Sequence, residues 1–376
     1  MVRSTFSLVS AHHMALSCGI VGLPTVGKTS IFNALTGLKA ERHNYVAASV
    51  EPNLAEVDVP DERLEVIHRF IPTQKVVPAK VKVVDIAGLA SGAARNEGLG
   101  NKFLGHIKET DALMHVVRCF ERADVARATP VDPRGDVEVL ELELAMTDLD
   151  TLGRNIDRVG KKSRAGDKEG VHQREVFEKA KKLLEDGVPL RLHEWKKDEL
   201  AALRPLFLLT QKPVLYVANV GDDDVAGSGA HARAVHAHAQ SKRSPSIAIC
   251  GDLECELAAM GPEDRASFQA DFALAELARP RLIQSVYKLL GLQTFFTAGE
   301  KEIKAWTIQS GDTGPVAAGK IHSDFEKGFI RAEVYSVDDL VHHHTEAAIK
   351  NAGKLRVEGH GYVMRESDVC HFLVNK

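Results

Sequence analysis

Short apolar runs alternate with amphipathic segments along the first 290 residues of this chain. Five of the runs are rich in β-branched residues and end in polar or glycine-rich loops, as buried parallel strands do. These runs occupy residues 16–21, 81–84, 112–117, 214–218 and 246–250. Between them the apolar residues have helical spacing, for example at 28–35 and 101–109. The alternation predicts a doubly wound α/β domain whose ligands bind at the carboxyl ends of the strands.

Within residues 135–205, apolar positions recur instead at intervals of three and four. The recurring residues are Leu142, Ala145, Leu149, Leu152, Ile156 and Val159. This spacing is typical of the seam of a coiled coil. A polar stretch at 161–170 predicts a turn, after which Val176, Ala180 and Leu183 resume the spacing. We predict an inserted α-helical coiled-coil hairpin, with an ordinary pair of surface helices as the alternative.

Beyond residue 290 the pattern becomes one of short strand-like runs between glycines, which predicts a small, mostly β domain. The runs lie at 294–297, 303–308, 329–335 and 361–365. Met14 begins the segment that leads into the first strand, so residues 1–14 are interpreted as an N-terminal extension without a role in the fold. The remaining chain divides into an α/β domain at 15–134 and 206–290, a hairpin at 135–205 and a terminal domain at 291–376.

Bulk composition narrows the class of protein. The 376 residues are 44% hydrophobic and 27% charged, which predicts two or three globular units. A formal net charge of −4 excludes a globally basic nucleic-acid binder. A nucleic-acid partner therefore requires a local basic patch, and sequence-specific DNA binding is not expected.

Cysteine usage and hydropathy predict the compartment. The five cysteines are scattered without CxxC spacing, which favours a reducing environment. No apolar run approaches the roughly 18 residues of a membrane span, and residues 1–13 lack the apolar core of a signal peptide. We therefore expect a cytoplasmic protein with no membrane partner.

The sequence Gly-Leu-Pro-Thr-Val-Gly-Lys-Thr at 22–29 follows the first predicted strand and opens a helix. This is the context in which GxxxxGK[ST] predicts a phosphate-binding P-loop. Backbone N–H groups wrap the phosphates, Lys28 reaches the β and γ phosphates as the catalytic cation, and the Thr29 hydroxyl ligates Mg²⁺. The predicted nucleotide-binding residues here are Gly22, Thr25, Val26, Gly27, Lys28, Thr29 and Ser30.

The sequence Asp85-Ile-Ala-Gly88 ends another predicted strand. Asp85 is expected to hold Mg²⁺ through water, and the Gly88 N–H to sense the γ-phosphate. The DxxG pattern alone also fits a turn that ends a strand. Its position after a P-loop favours the metal-binding interpretation.

The sequence Asn219-Val-Gly-Asp222 ends a third predicted strand, where nucleotide switches read the base. It matches the NKxD pattern of GTPases in part, because Val220 replaces the lysine. We predict that Asn219, Val220 and Asp222 contact the base, with a plain Asn/Asp turn as the alternative.

With these motifs the chain resembles the YchF / Obg-like ATPase family, a ribosome-associated branch of P-loop NTPases, from about residue 15 to 376. The resemblance rests on GIVGLPTVGKTSIFNAL, DIAGL, NEGLGNKF, HVVRCFE, LGLQTFFTAGEKEIKAWTI and AAGKIHSDFEKGFIRAE. It implies a Ras-like P-loop NTPase domain, the coiled-coil hairpin and a C-terminal β-grasp (TGS) domain starting near Gly291. It also implies ATP as substrate and the ribosome as partner.

Three departures from the family pattern concern binding. Thr25 stands where the family has asparagine, and we expect little cost because the backbone cradles the phosphates. Ser49 replaces the threonine that ligates Mg²⁺, with its hydroxyl retained. Asp222 replaces a glutamate, which leaves a GTP-preferring member as an alternative.

Two further positions concern hydrolysis. Leu89 stands where Ras-like enzymes hold a glutamine that orients water, and Arg127 stands at the family's proposed catalytic histidine. Arg127 is interpreted as an arginine finger, with a solvated loop arginine as the alternative. His115 could substitute, although a histidine within an apolar run is more often a core residue.

These features predict a slow ATP-hydrolysing switch that associates with the large ribosomal subunit. Residues 154–182 hold ten basic and five acidic residues, an excess that could meet ribosomal RNA phosphates. A P-loop kinase fits less well, because the chain devotes its length to switch motifs and binding modules. A nucleotide-gated binding protein with negligible turnover is the remaining alternative.

Overall fold

The structure, a computed structural model, describes residues 16–37, 53–86, 99–121, 130–163, 167–261, 263–265, 267 and 277–375, without the side chains of 99–102 and 161–163. Within these ranges, no helix has the length and apolar character needed to cross a membrane. The chain forms two compact units. We call Leu16–Ala55 with Lys82–Leu282 the N-terminal unit, and Glu56–Val81 with Ile283–Lys376 the C-terminal unit.

A six-stranded sheet in the order β2-β4-β1-β5-β6-β7 forms the centre of the P-loop NTPase fold. Its strands are β1 (Ser17–Val21), β2 (Asn53–Asp58), β4 (Lys80–Asp85), β5 (Ala112–Cys119), β6 (Val214–Val220) and β7 (Ser246–Ile249). β1 is parallel to β4 and β5, and β6 is parallel to β5 and β7. Every residue of β5 and β6 is buried, as their continuous apolar runs predict. The carboxyl ends of these five parallel strands therefore share one edge.

This unit contains several α-helical segments, and buried apolar residues of some of them pack against the sheet. These segments include α1 (Lys28–Thr36), α3 (Leu99–Lys108), α4 (Pro133–Ser163), α5 (Lys168–Glu185), α6 (Lys197–Leu203), α7 (Ala230–Ser241), α8 (Gly251–Ala259) and the start of α9 (Ala278–Leu289). One core cluster joins Ile107 of α3, Leu140 of α4 and Val235 of α7 to strand residues such as Leu113 and Ala218. The helices thus hold the sheet and its site edge in place.

The inserted hairpin consists of α4 and α5, with α6 packed beside them. Their shared core contains Leu152, Val159, Val176 and Ala180, which lie on the predicted seam. Leu142 does not join it and is 61% exposed. The reason is that the first turns of α4 bury a different face, with Leu140 and Leu144, against the sheet. The hairpin seam therefore begins only after this basal segment.

The C-terminal unit is built on a mixed sheet in the order β11-β10-β12-β8-β9-β3. Its strands are β3 (Val76–Val77), β8 (Leu292–Ala298), β9 (Ile303–Gln309), β10 (Phe329–Ser336), β11 (Arg356–Glu358) and β12 (Asp368–Val374). β8 and β12 are parallel, and each pairs antiparallel with a further strand. The helix α10 (Gly314–Ile321) buries Ala317 and Ala318 against Phe295. This is the predicted β-grasp arrangement.

One predicted strand of this unit is wrong. Residues 361–365 form no strand and make a single isolated bridge, between Val363 and Thr313. The buried carboxylate of Asp368 shapes this segment as a turn, because its Oδ2 accepts from the Tyr362 hydroxyl (2.7 Å) and the Arg365 N–H (2.9 Å). The strand β10 pairs instead with β12.

The C-terminal unit also contains helices that the sequence pattern did not indicate. They are α2 (Arg63–Phe70), α11 (Ser323–Lys327), α12 (Val337–His343) and α13 (Glu346–Asn351). Residues 56–81, assigned from sequence to the nucleotide-binding domain, belong to this unit. Arg63 of α2 donates to the Ser367 hydroxyl (2.7 Å), and its guanidinium lies 5.0 Å from the centroid of the Phe296 ring.

Candidate functional site

The phosphate loop lies at the sheet edge, between the end of β1 and the start of α1. Gly22 approaches β5 so closely that a Cβ would lie 2.5 Å from the Val116 carbonyl oxygen. Gly27 has φ 92°, and a Cβ there would clash with the Asn219 side-chain amide. Both positions therefore require glycine.

Lys28 points back into this loop. Its Nζ donates to the carbonyls of Gly22 (3.1 Å) and Leu23 (2.8 Å), and the residue is 8% exposed. Burial lowers the pKa of Lys28 to about 8, although the nearby Asp85 carboxylate opposes that shift. Bound phosphates, like Asp85, would raise the pKa of Lys28 and favour the ammonium form. Lys28 is thus a cation available at the phosphate loop.

Thr29 and Asp85 meet beside Lys28. The Thr29 hydroxyl donates to Asp85 Oδ2 at 3.3 Å, and Asp85 is buried at the end of β4. Burial raises the pKa of Asp85, while Lys28, Thr29 and Asn53 act in the opposite direction. A hydroxyl and a carboxylate are hard oxygen donors of the type that Mg²⁺ prefers. This pair therefore fits a magnesium ion shared with nucleotide phosphates.

Asn219 links the phosphate loop to a neighbouring strand end. Its Nδ2 donates to the Val26 carbonyl (2.9 Å), and its Oδ1 accepts from the Gly251 N–H (3.0 Å) at the start of α8. The side chain is buried. The structure therefore shows Asn219 fastening two loops of the site, in addition to lying where a base reader was predicted.

Val220 and Asp222 occupy different environments. Val220 ends β6 and is 2% exposed, whereas Asp222 is exposed at the start of the 3₁₀ turn Asp222–Asp224. The Asp224 carboxylate closes this loop by accepting from the N–H groups of Ser228 and Gly229 (both 2.9 Å). Asp222 and its neighbour Asp223 are therefore the exposed carboxylates of this loop, and Asp222 is the one that the NKxD pattern places near a base.

Arg118 and Phe120 adjoin this loop and were not singled out from sequence. Arg118 Nε donates to the Phe120 carbonyl (3.0 Å), and its guanidinium lies 5.0 Å from the centroid of the Phe120 ring. Phe120 Cβ lies 3.5 Å from where a Cβ on Gly221 would be. The sequence signal that could have found Arg118 is a charged residue within an apolar strand, because charged residues are rarely buried without a partner.

His115 is a core residue. It is buried in β5, with its ring centroid 5.5 Å from that of Tyr216. Burial lowers the pKa of His115 to about 4, so the imidazole is neutral at pH 7. The structure thus agrees with the core interpretation. Four other singled-out positions, Gly88, Leu89, Ser49 and Arg127, lie outside the described residues.

A buried polar cluster fastens both ends of the hairpin to β6, and we call it the Glu141 cluster. Arg191, which follows α5, donates to Glu141 of α4 (3.1 Å) and to the Tyr216 hydroxyl (2.9 Å). The Tyr216 hydroxyl itself donates to Glu141, and His238 Nε2 lies 3.4 Å from Glu141 Oε2. Burial alone would raise the pKa of Glu141, but His238, Tyr216 and Arg191 lower it to about 2.

Comparison with family models gives two matches. Residues 17–152 match a family model described as 50S ribosome-binding GTPase. Residues 292–375 match the model YchF-GTPase_C, described as a protein of unknown function (DUF933). The two matches fall on the P-loop fold and on the β-grasp domain.

Similar proteins extend along the chain. The ribosome-binding ATPase YchF of Escherichia coli O157:H7 is 44% identical over 363 residues, which cover 96% of this chain and 100% of that protein. The protein of the same name from Bacillus subtilis strain 168 is 42% identical over 365 residues, with the same coverage. The solved structure of the Schizosaccharomyces pombe YchF GTPase has a TM-score of 0.83 at 32% identity, covering 95% of this chain and 97% of its own.

Proposed function

This chain belongs to the YchF family of P-loop nucleoside triphosphatases, and we propose on that basis that it is an ATP-hydrolysing switch that associates with the ribosome. One observation carries the proposal most directly. Lys28, the Thr29–Asp85 pair and the loop held by Asn219 converge on one sheet edge. A cation, oxygen donors for a metal and a backbone cradle are the parts that triphosphate binding requires.

Each residue of the site has its own part in binding. Backbone N–H groups of the phosphate loop hold the phosphates, and Lys28 Nζ turns from the Gly22 and Leu23 carbonyls towards the β and γ oxygens. Thr29 and Asp85 would hold Mg²⁺, with Ser49 proposed as a further ligand. The metal would neutralise charge on the phosphate oxygens. Gly88 is proposed to contact the γ-phosphate.

We assign ATP over GTP. Similar proteins are named ATPases, and the buried Val220 occupies the position where NKxD GTPases have lysine. The exposed Asp222 supports the alternative, because a carboxylate accepts from guanine N1 and N2 but repels the adenine N1 acceptor. Base preference therefore depends on whether Asp222 meets the base.

Slow intrinsic turnover is part of the proposal. Leu89 has no group that orients water, and Arg127 supplies charge but no general base. Arg127 is proposed as a catalytic arginine finger. Negligible turnover would leave the second candidate, a nucleotide-gated ribosome-binding protein.

The proposed partner is the large ribosomal subunit and its RNA, met by the tip of the hairpin in the cytoplasm. Support comes from how charge is distributed on α5. Three of its cations pair with carboxylates one turn on, namely Arg174–Glu178 (2.8 Å), Lys181–Glu185 (3.7 Å) and Lys182–Asp186 (3.3 Å). Arg158 and Lys168, nearer the tip, have no ion pair with another described residue. In sequence, residues 157–169 around the tip hold five basic and three acidic residues, and we propose that this modest excess meets RNA phosphates.

Single-turnover hydrolysis of ATP and of GTP, each with and without ribosomes, tests the proposal. We expect ATP to be hydrolysed several-fold faster than GTP, and ribosomes to change the ATP rate. Hydrolysis of GTP faster than that of ATP would show that the protein prefers guanine. A chain that binds ribosomes in a nucleotide-dependent way without detectable hydrolysis would establish the second candidate.

A further inference from the structure

Thr25 has an unusual backbone conformation for its residue type. Its φ is 63°, in the left-handed region. The other described non-glycine residues with positive φ are Phe207, Arg243, His344 and Ser367. Among these described positions Thr25 is the one with a β-branched side chain, for which a positive φ is a genuine outlier.

The neighbouring residues hold Thr25 in this conformation. Pro24 precedes it, and a proline followed by a residue with positive φ is the pattern of a type II turn, whose third position favours glycine or asparagine. On the other side, Val26 is buried and its carbonyl accepts from Asn219. Gly22 is fixed by its close approach to β5. Thr25 must therefore close the turn between two fastened segments.

No contact in the described part of the chain offsets the conformational free energy that the left-handed φ costs at Thr25. Its side chain is exposed, and it makes no hydrogen bond with another described residue. The methyl branch consequently disfavours the loop conformation without a compensating contact. From sequence we expected threonine in place of asparagine at position 25 to cost little nucleotide affinity, because the backbone cradles the phosphates. The left-handed φ of Thr25 is a cost of another kind, which lies in the loop backbone itself.

We propose that Thr25 sets the nucleotide affinity of this site, by making the phosphate-binding conformation of the loop costly. The inference rests on the proposed nucleotide-binding function. The cost lowers the fraction of nucleotide-free loops that adopt this conformation, whereas bound phosphates require it. The apparent dissociation constant then rises in inverse proportion to the fraction of loops in the competent conformation.

Thr25→Asn tests this directly, because asparagine tolerates the left-handed region and points here into solvent. We expect the dissociation constant of N-methylanthraniloyl-ADP, measured by fluorescence titration, to fall about three- to tenfold. Thr25→Ser, which loses only the branching methyl, should also bind more tightly than the parent. Thr25→Val retains the branch and should bind nucleotide with the same affinity as the parent.

Arg243→Asn is the matched control, because Arg243 also has a positive φ (50°) but lies at the end of α7. It should raise the melting temperature without changing nucleotide affinity. The inference is overturned if Thr25→Asn binds no more tightly than the parent. It is also overturned if Thr25→Val binds more weakly, since the hydroxyl would then set the affinity. A parent that binds no nucleotide would remove the proposed function and this inference with it.

Discussion

The fold places Lys28 and keeps it charged before phosphate binds. Burial lowers its pKa to about 8, yet at pH 7 the protonated form still predominates about tenfold. Two backbone carbonyls hold the ammonium in place until phosphate oxygens can replace them. The charge is thus partly desolvated beforehand, which strengthens its attraction to a phosphate.

Lys28→Ala should weaken ATP binding about 10- to 100-fold, because hydrogen bonds to charged groups contribute roughly 1.5–3 kcal/mol. Titration with a fluorescent ATP analogue measures this weakening, and circular dichroism should remain native. Lys212→Ala is the matched control. Lys212 is another largely buried lysine, with its pKa also lowered to about 8, but it donates to the Lys108 carbonyl (3.1 Å) away from the site. A Lys28 variant that binds like the parent would contradict the P-loop assignment.

Local sequence predicts residues such as Gly22, Gly27 and Lys28 because the loop's own backbone determines what they do. It does not predict the link made by Asn219, whose partner Val26 lies 193 residues away along the chain. The Thr25 angle was missed for a related reason. A motif names the residue at each position but not the φ that its neighbours impose.

At the scale of elements, the attachment of the hairpin to the sheet is the most consequential contact. Residues on both sides of the hairpin, Glu141 and Arg191, meet at Tyr216 of β6. Asn219, which holds the phosphate loop, lies three residues further along the same strand. Hairpin base and phosphate loop are therefore fastened to one rigid element.

Glu141→Gln should destabilise the protein by about 3 kcal/mol, because it leaves the buried Arg191 guanidinium without its counter-charge. Urea denaturation at pH 7 measures the difference. Glu143→Gln, two residues away on α4 and without an ion pair to a described residue, should cost less than about 0.5 kcal/mol. Equal stabilities of the two variants would show that the Glu141 cluster does not hold the hairpin base.

The destabilisation by Glu141→Gln should depend on pH with a defined sign. The pKa of Glu141 lies below its ordinary value of 4.5, at about 2, in the folded chain. Its charge therefore stabilises the fold fully above about pH 4.5, and this contribution declines as the pH falls towards 2. The stability difference between parent and variant should narrow over that range.

Strands were predicted well where a short apolar run ends in a polar or glycine-rich loop. The five apolar runs are parallel strands, and β5 and β6 among them are buried on both faces throughout. The prediction failed where one residue changes the local context. Leu142 continues the hairpin spacing but lies where α4 turns another face to the sheet, and Asp368 shapes residues 361–365 into a turn.

At the scale of the whole molecule, RNA binding depends more on where the charges lie than on the net charge. The chain carries −4 overall, so long-range attraction to RNA has to come from one region. Ion pairs in the middle and at the C-terminal end of α5 compensate three of its cations. Arg158 and Lys168, which lie nearer the tip, make no ion pair with another described residue and are therefore the described cations that we expect phosphates to meet.

Reversing tip charges, with Arg158→Glu and Lys168→Glu added to Lys161→Glu, Lys162→Glu and Arg164→Glu, should reduce cosedimentation with the large ribosomal subunit. The slope of log affinity against log salt should fall by about one for each RNA phosphate that the variant no longer neutralises. Lys181→Glu with Lys182→Glu, which reverses cations already paired within α5, should change both quantities less. An unchanged salt-dependent association in the tip variant would assign RNA binding to another surface.

The burial of Val220 limits how this protein could be re-engineered. A designer who wished to convert it to guanine use would begin by restoring the lysine of the NKxD pattern. At 2% exposure, that position has no solvent to receive an ammonium group. The Asn219 amide beside it is already engaged with two loops. A change of substrate base would therefore require several residues around the end of β6 to be changed together. Base preference is determined by this group of residues and not by position 220 alone.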